Sequence, residues 1–264
     1  MHRTNRRMLL GAMWLLAFCV IPSSYGLRAE TSRLDQIIAA KTLRVGTTGD
    51  YRPFSFLNPS TKGFEGIDIE LARSLAKSLG VEAEFVQTAW PNLMSDFQAN
   101  KFDMAIGGVS VTLDRARVGL FSIPIMVDGK TPIARCADKE RFQSLIGIDR
   151  PDVRAIVNPG GTNERFARAN LIQAQLSVFP DNVTIFQQIV DGKADVMITD
   201  ASETRLQQKL HPELCAIHPE QPFTFAEKAV WLQRDAYLKA YVDQWLNLVL
   251  HDGTYAAITK AWLE

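Results

Sequence analysis

The sequence predicts an α/β protein of two lobes joined by two crossings of the chain. Three observations predict it: a β–α alternation from residue 43 to 107, an extended proline-bearing stretch from 121 to 133, and a second series of strands and helices after that stretch. Leu34 to Ala40 reads as a short helix, and Leu43-Arg-Val-Gly-Thr47 as a strand ending at the loop Thr48 to Phe54. Between Gly66 and Gly80, apolar residues at 67, 71, 72, 75, 76 and 79 form a helical stripe closed by a C-terminal glycine. Val81 to Val86 is a strand, Trp90-Pro91-Asn92 opens a helix over Leu93 to Ala99, and Asp103 to Gly107 is a strand. That alternation implies a parallel sheet with its ligand crevice at the carboxyl ends of the strands.

The stretch Phe121 to Ile133, with two prolines and a glycine, is the expected first crossing, and a return is expected near Ile217 to Phe225. Lobe one then comprises 30–124 plus 224–264, and lobe two 125–223. Lobe two holds a strand near Ile133, a helix near Phe142, a strand at Ala155 to Val157, a helix from Ile185 to Val190 and a strand at Asp195 to Thr199. Back in lobe one, Ala229 to Leu232 is a strand, and Tyr237 to Leu250 a long amphipathic helix with Tyr241, Trp245, Leu248 and Val249 inward.

Pro159-Gly160-Gly161 ends the strand at Val157, and Thr162 stands where a helix N-cap belongs. Such a loop leaves backbone N–H groups unpaired at the positive end of a helix, which favours an anion such as a carboxylate. An ordinary glycine-rich turn with a capping threonine fits the same residues. No phosphate-loop or dinucleotide-binding glycine spacing is present, so a nucleotide is not the expected guest.

Residues 1–29 read as a secretory signal peptide outside the fold. Arg3, Arg6 and Arg7 precede an apolar run from Met8 to Ile21, and small residues follow, with cleavage expected after Gly26 or Ala29. Cys19 follows Phe18, where a lipid-anchored product would want a small residue, so no membrane attachment is expected after cleavage. Loss of Arg3, Arg6, Arg7 and Arg28 leaves 25 basic against 29 acidic residues, a balance that argues against a nucleic-acid partner. Cys136 and Cys215 remain, and an oxidising compartment makes their pairing plausible. His211, His218 and His251 have no second ligand at a useful spacing, which argues against a zinc site or a serine triad.

Leu43-Arg-Val-Gly-Thr with Tyr51-x-Pro-Phe54, Gly66-x-Asp68, Val109-Ser-Val-Thr-Leu-Asp-Arg115, Gly161-Thr162 and Asp252-Gly-Thr-Tyr255 resemble the landmarks of periplasmic solute-binding proteins of the amino-acid type. The resemblance implies their type II two-lobed fold, with the two crossover strands as a hinge. Longer runs are similar to an enzyme group within that superfamily, the cyclohexadienyl dehydratases. They include Trp90-Pro-Asn-Leu93, Asp128-Gly-Lys-Thr-Pro132, Val157-Asn-Pro-Gly-Gly-Thr-Asn-Glu164 and Asp181 to Asp195. This resemblance implies a small-molecule substrate, prephenate or arogenate, which loses water and carbon dioxide without a cofactor. The alternative is a periplasmic binding protein for a polar amino acid.

By the same resemblance Glu203 is the general acid, Arg115 grips a carboxylate, and Ser110 with the Gly161-Thr162 loop shares it. Asp200 falls where the binding proteins hold an α-amino group. Lys130, in the first crossing, would neutralise a second carboxylate, and Asn158 would offer its amide. Tyr51 and Trp90 would wall the ring pocket. Taken singly, each has an ordinary reading: a solvated lysine or arginine, a turn asparagine, core aromatics, and an acid pair serving a helix dipole. Asp200 and Glu203 do share one helical face just beyond the buried strand Val196 to Ile198, which places both carboxyls near the cleft edge.

Overall fold

The structure, a computed structural model, describes residues 31–263. The expected signal peptide therefore lies outside the described residues. Two five-stranded sheets organise the rest. In the first the strands lie in the order Glu82–Gln87, Thr42–Thr47, Met104–Ala105, Trp231–Leu232 and Leu120–Phe121. In the second the order is Gln175–Val178, Arg154–Val157, Val196–Asp200, Lys130–Arg135 and Leu214–Ala216.

The strands of the β–α alternation, Thr42–Thr47, Glu82–Gln87 and Met104–Ala105, pair in parallel as expected, but neither sheet is parallel throughout. In each, one strand runs against its neighbours: Trp231–Leu232 in the first and Lys130–Arg135 in the second. Both are the strands that follow a crossing. A chain arriving from the other sheet enters without the helical return that makes neighbouring strands parallel. The crossings themselves pair, with Met126–Asp128 antiparallel to Ala226–Lys228, so a two-stranded ribbon joins the lobes as a hinge. Gly129 follows this ribbon closely packed: a Cβ there would sit 1.9 Å from the Thr224 carbonyl.

Helices cover both faces of each sheet, as buried strands require. Ile67–Leu79 lays Leu71, Leu75 and Leu79 on the first sheet and ends at Gly80, whose φ of 68° is left-handed. The long helix runs Ala236–His251 and buries Leu238, Val242, Trp245, Leu246 and Val249. Leu248, expected inward, is exposed, because the packed stripe is centred on Val242 and Leu246 and puts Leu248 on the far side. The helix expected near Phe142 is a 3-10 segment, Cys136–Phe142, followed by a short α-helix at Leu145–Ile148. Cys136 and Cys215 form a disulfide at the edge of the second sheet, beside the pairing of Cys215 with Ala134.

Candidate active site

All five residues of the strand Val196–Asp200 are buried, and the chain turns at its end directly into the helix Ala201–Leu210. Asp200 is thus both the last strand residue and the N-cap position, with Glu203 in the first helical turn. Antiparallel pairing sets Lys130 opposite Asp200. The Lys130 ammonium donates to Asp200 Oδ1 at 2.6 Å, to Thr162 Oγ1 at 3.0 Å, and to Asn163 Oδ1. From the other crossing Lys228 donates to Asp200 Oδ2 and to Ser110 Oγ, the latter at 3.0 Å. The Tyr51 hydroxyl donates to the same Asp200 Oδ2, and its ring centroid lies 5.4 Å from the Lys228 ammonium. Lys130, Lys228 and Asp200 are 5%, 2% and 2% exposed, so this is a buried charge cluster with both lobes and both crossings contributing.

Burial works to raise the Asp200 pKa, but the ammonium charges of Lys130 and Lys228 outweigh it and hold the carboxyl far below the usual range. Burial lowers the Lys130 pKa, partly offset by Asp200. Burial pushes the Tyr51 phenol well up, and the charge of Asp200 adds to that, so the phenol keeps its proton.

Glu203 has the opposite environment. It is 1% exposed, and burial raises its pKa to about 8 against the hydrogen bond it accepts from Thr199 Oγ1, with the Asp200 charge adding to the rise. One acid of the pair is therefore ionised and the other protonated at neutral pH. Thr199 Oγ1 accepts in turn from Asn163 Nδ2 at 2.9 Å, and the same amide donates to Asn158 Oδ1 at 3.1 Å. A polar chain thus links Glu203 through Thr199 and Asn163 to Lys130.

Tyr51, Trp90, Ser110, Asn158, Gly161, Thr162 and Asp200 line one cavity of about 20 Å³, room for roughly one water molecule. Tyr51 and Trp90 meet edge to face, their centroids 5.6 Å apart, and Trp90 Nε1 donates to Asp50 Oδ1 at 3.0 Å. Gly160 closes on Pro91 from the opposite lobe: its φ is 82°, and a Cβ there would stand 2.5 Å from Pro91. Glu203 lines an adjoining recess of about 220 Å³ with Asp50, Arg52, Gln207 and His211, and Asn182 borders both spaces.

Arg115 is 6% exposed and donates from Nη1 to the Ser110 carbonyl at 2.8 Å, and no carboxylate partner for it appears among the described residues. Burial, with the nearby Arg165 charge, lowers its pKa to about 10. Its guanidinium stands behind Ser110 with donors to spare. Thr162 is not the N-cap: Gly161 holds that position in extended backbone, and the Thr162 hydroxyl serves Lys130 instead. Asp200, expected near an amino group, already has both oxygens taken by Lys130, Lys228 and Tyr51.

The sequence reading missed Lys228, Asn163 and Thr199. Lys228 lies one residue before the apolar run Ala229 to Leu232, and a lysine bordering a buried strand was the available signal. Asn163 sits in the first turn after the glycine loop, and its side chain is buried there between Asn158, Thr199 and Lys130.

A model of the bacterial extracellular solute-binding proteins, family 3, matches residues 43–264. The chain is 56% identical over 249 residues to a cyclohexadienyl dehydratase of Pseudomonas aeruginosa, covering 94% of this chain and 92% of that one. It is 26% identical to an L-cystine-binding protein of Escherichia coli, covering 89% and 87%. Among solved structures, an ancestral amino acid-binding protein described as a precursor of cyclohexadienyl dehydratase superposes with a TM-score of 0.81 at 35% identity, covering 88% of this chain and all of that one. An ancestral cyclohexadienyl dehydratase gives 0.56 at 51% identity, covering 89% and 97%. With two mixed α/β lobes on a paired hinge and a polar cluster between them, the chain belongs to family 3 of the bacterial extracellular solute-binding proteins.

Proposed function

We propose that this chain is a cyclohexadienyl dehydratase, converting prephenate to phenylpyruvate and arogenate to phenylalanine by loss of water and carbon dioxide. The observation that carries the reading is Glu203, a sealed carboxyl beside a lysine-rich cluster whose pKa of about 8 keeps its proton at neutral pH. A binding protein gains nothing from an acid held in that state, whereas a departing hydroxyl needs a proton donor. The high identity to the Pseudomonas enzyme supports the same reading.

In this scheme Glu203 gives its proton to the ring hydroxyl as the carbon–oxygen bond breaks, and water leaves. The bond between the ring and its carboxylate breaks with it. Its electron pair enters the ring, which becomes aromatic, and carbon dioxide departs. Arg115 and Ser110, with Thr162 and Gly161, take the side-chain carboxylate, while Lys130 faces the ring carboxylate and Asn158 offers its amide to the same ligand. Trp90 and Tyr51 hold the ring in place and exclude water. A cavity of about 20 Å³ is smaller than this substrate, so the lobes, 30–124 with 224–264 and 125–223, must part about the paired crossings to admit it. We place the enzyme outside the cytoplasm, behind a cleaved signal over residues 1–29.

The test is to incubate the purified protein with prephenate and follow phenylpyruvate. Prephenate bound and released intact would make the chain a binding protein instead.

A further inference from the structure

We infer that the recess beside Glu203 is the path by which solvent protons return to it, and that His211 at its outer end is the group that relays them. The inference rests on the dehydratase reading above and adds to it how the acid is reset. In that reaction the carbon–oxygen electron pair leaves with the proton of Glu203 as water, and the pair between ring and carboxylate enters the ring as carbon dioxide departs. The prephenate dianion and one proton become the phenylpyruvate monoanion, carbon dioxide and water. Glu203 is left as a carboxylate, so every turnover consumes a proton that the site must draw from solvent.

Glu203 is sealed from solvent, but it borders the recess of about 220 Å³, and so do Gln207, Leu210 and His211 farther along the same helix. They lie four, seven and eight positions on, which is one helical face. Exposure grows along that face: Gln207 is 6% exposed, His211 at the C-cap is half-buried, and Leu210 is 48% exposed. At the rise of an α-helix the face runs about 12 Å from the buried carboxyl to the surface. Asp50 and Arg52 face it from the first lobe, and Asn182 and Val183 complete the wall. Two buried polar atoms of this wall, Arg52 Nε and Asn182 Oδ1, have no hydrogen-bond partner among the described residues. Buried polar atoms in that state are met by water, and a space of this size holds several molecules. Such waters hand a proton inward once a group at the mouth loads them. Near neutral pH that group is a histidine, which both holds and gives up a proton in this range, and a helix C-terminus favours its charged form. The His211 backbone N–H closes the helix on the Gln207 carbonyl at 2.8 Å, and its ring lies 6.5 Å from that of Phe186, which together fix the imidazole in place.

The experiment measures kcat and kcat/KM for prephenate in the wild type, His211→Ala and His211→Gln, in dilute buffer and with added imidazole, each protein checked for folding by thermal melting. Loss of the relay slows the resetting of Glu203 after product leaves, so kcat in dilute buffer should fall about tenfold or more in both variants. At limiting prephenate the acid has time to recover between turnovers, so kcat/KM should stay within about twofold of the wild type. Imidazole should restore kcat in His211→Ala and leave the wild type unchanged. A histidine needed only for packing would lower both constants with no repair by imidazole, which overturns the inference. An unchanged kcat also overturns it and would mean that protons enter through the substrate cleft.

A measurement without substrate separates this inference from the dehydratase reading. After a rapid jump from alkaline to neutral pH, the infrared band of the protonated Glu203 carboxyl, identified by its loss in Glu203→Gln, should return about tenfold more slowly in His211→Gln than in the wild type. Equal rates of return overturn the inference. Absence of turnover together with a slowed return would count against the dehydratase reading and not against the proton path.

Discussion

Two aspartates stand at opposite ends of one buried strand, both held by cations, and the two clamps differ in kind. Asp195, just before Val196, accepts the backbone N–H of Arg154 at 2.9 Å, its Nη2 at 2.6 Å and Arg135 Nη2 at 3.1 Å. Those arginine side chains are 45% and 24% exposed. Asp200, at the far end, is held by lysines and a phenol sealed from solvent. The first sheet repeats the arginine clamp alone: Asp103 accepts the Arg44 backbone N–H at 2.8 Å and the Arg44 and Arg33 guanidiniums at 2.7 and 3.3 Å. A planar fork fixes strand starts in both lobes without needing to move. The buried lysines of the other clamp are point charges that can change partner, as the proposed substrate site would require.

The sharpest test of that contrast is Glu203→Gln, which keeps the shape beside the lysine clamp and deletes the proton. Turnover should fall about 10³-fold, the scale of a lost general acid, with substrate affinity kept. Wild-type turnover in this variant, measured by stopped-assay phenylpyruvate formation, would remove Glu203 from the role of acid. The wild-type rate should also decline as pH rises through about 8, and Glu203→Gln should lose that limb. Stability follows the same sign. The folded pKa of about 8 exceeds the ordinary 4.5, so the stability linked to the bound proton is complete below pH 4.5 and is lost as pH rises through 8. Denaturant melts should therefore show the variant gaining on the wild type across that window, by a few kcal/mol at most.

Arg115→Ala probes whether the spare guanidinium behind Ser110 belongs to the ligand or to the core. We expect kcat/KM to drop about 10- to 100-fold for both substrates, the worth of a charge-assisted carboxylate contact, with the melting temperature lowered only modestly. Arg115 also lies 6.0 Å from the Trp231 ring and supports Ser110, so a loss of melting temperature without a loss of affinity would assign it to packing.

Much of this arrangement is legible in the chain because it depends on short-range pattern. The 3.6-residue stripe ending at Gly80, and the acids placed just past a buried strand, need only local residues. What escapes is set by partners far along the chain. Lys228 meets Ser110 across 118 positions, and a lone lysine in a crossing reads as a solvated one until that pairing is known. Thr162 looks like a cap because it follows glycine, but Lys130, 32 positions earlier, claims its hydroxyl. Leu248 fails for a different reason: with Leu246, Leu248 and Val249 all apolar, more than one helical face qualifies, and packing on the first sheet decides. The reversed strands follow from the hinge, which alternation of strand and helix does not encode.

The smallest expected effect comes from the arginine end. In Asp195→Asn the chemistry should be untouched, since the residue lies at the start of the strand whose other end carries Asp200. Burial opposes ionisation of Asp195, but the hydrogen bonds and charge of Arg154, with help from Arg135, lower its pKa to about 2 against an ordinary 3.8. A depressed carboxyl contributes stability that is present above pH 3.8 and lost as pH falls toward 2. Because Arg154 is nearly half exposed, solvent screening cuts the contribution to about 1 kcal/mol. Denaturant midpoints at pH 7 should drop by that amount in Asp195→Asn, and the gap should close in acid, the reverse of the window set by Glu203. A loss of turnover larger than the loss of stability would mean that the two ends of the strand are coupled, and that the arginine clamp also positions the lysines.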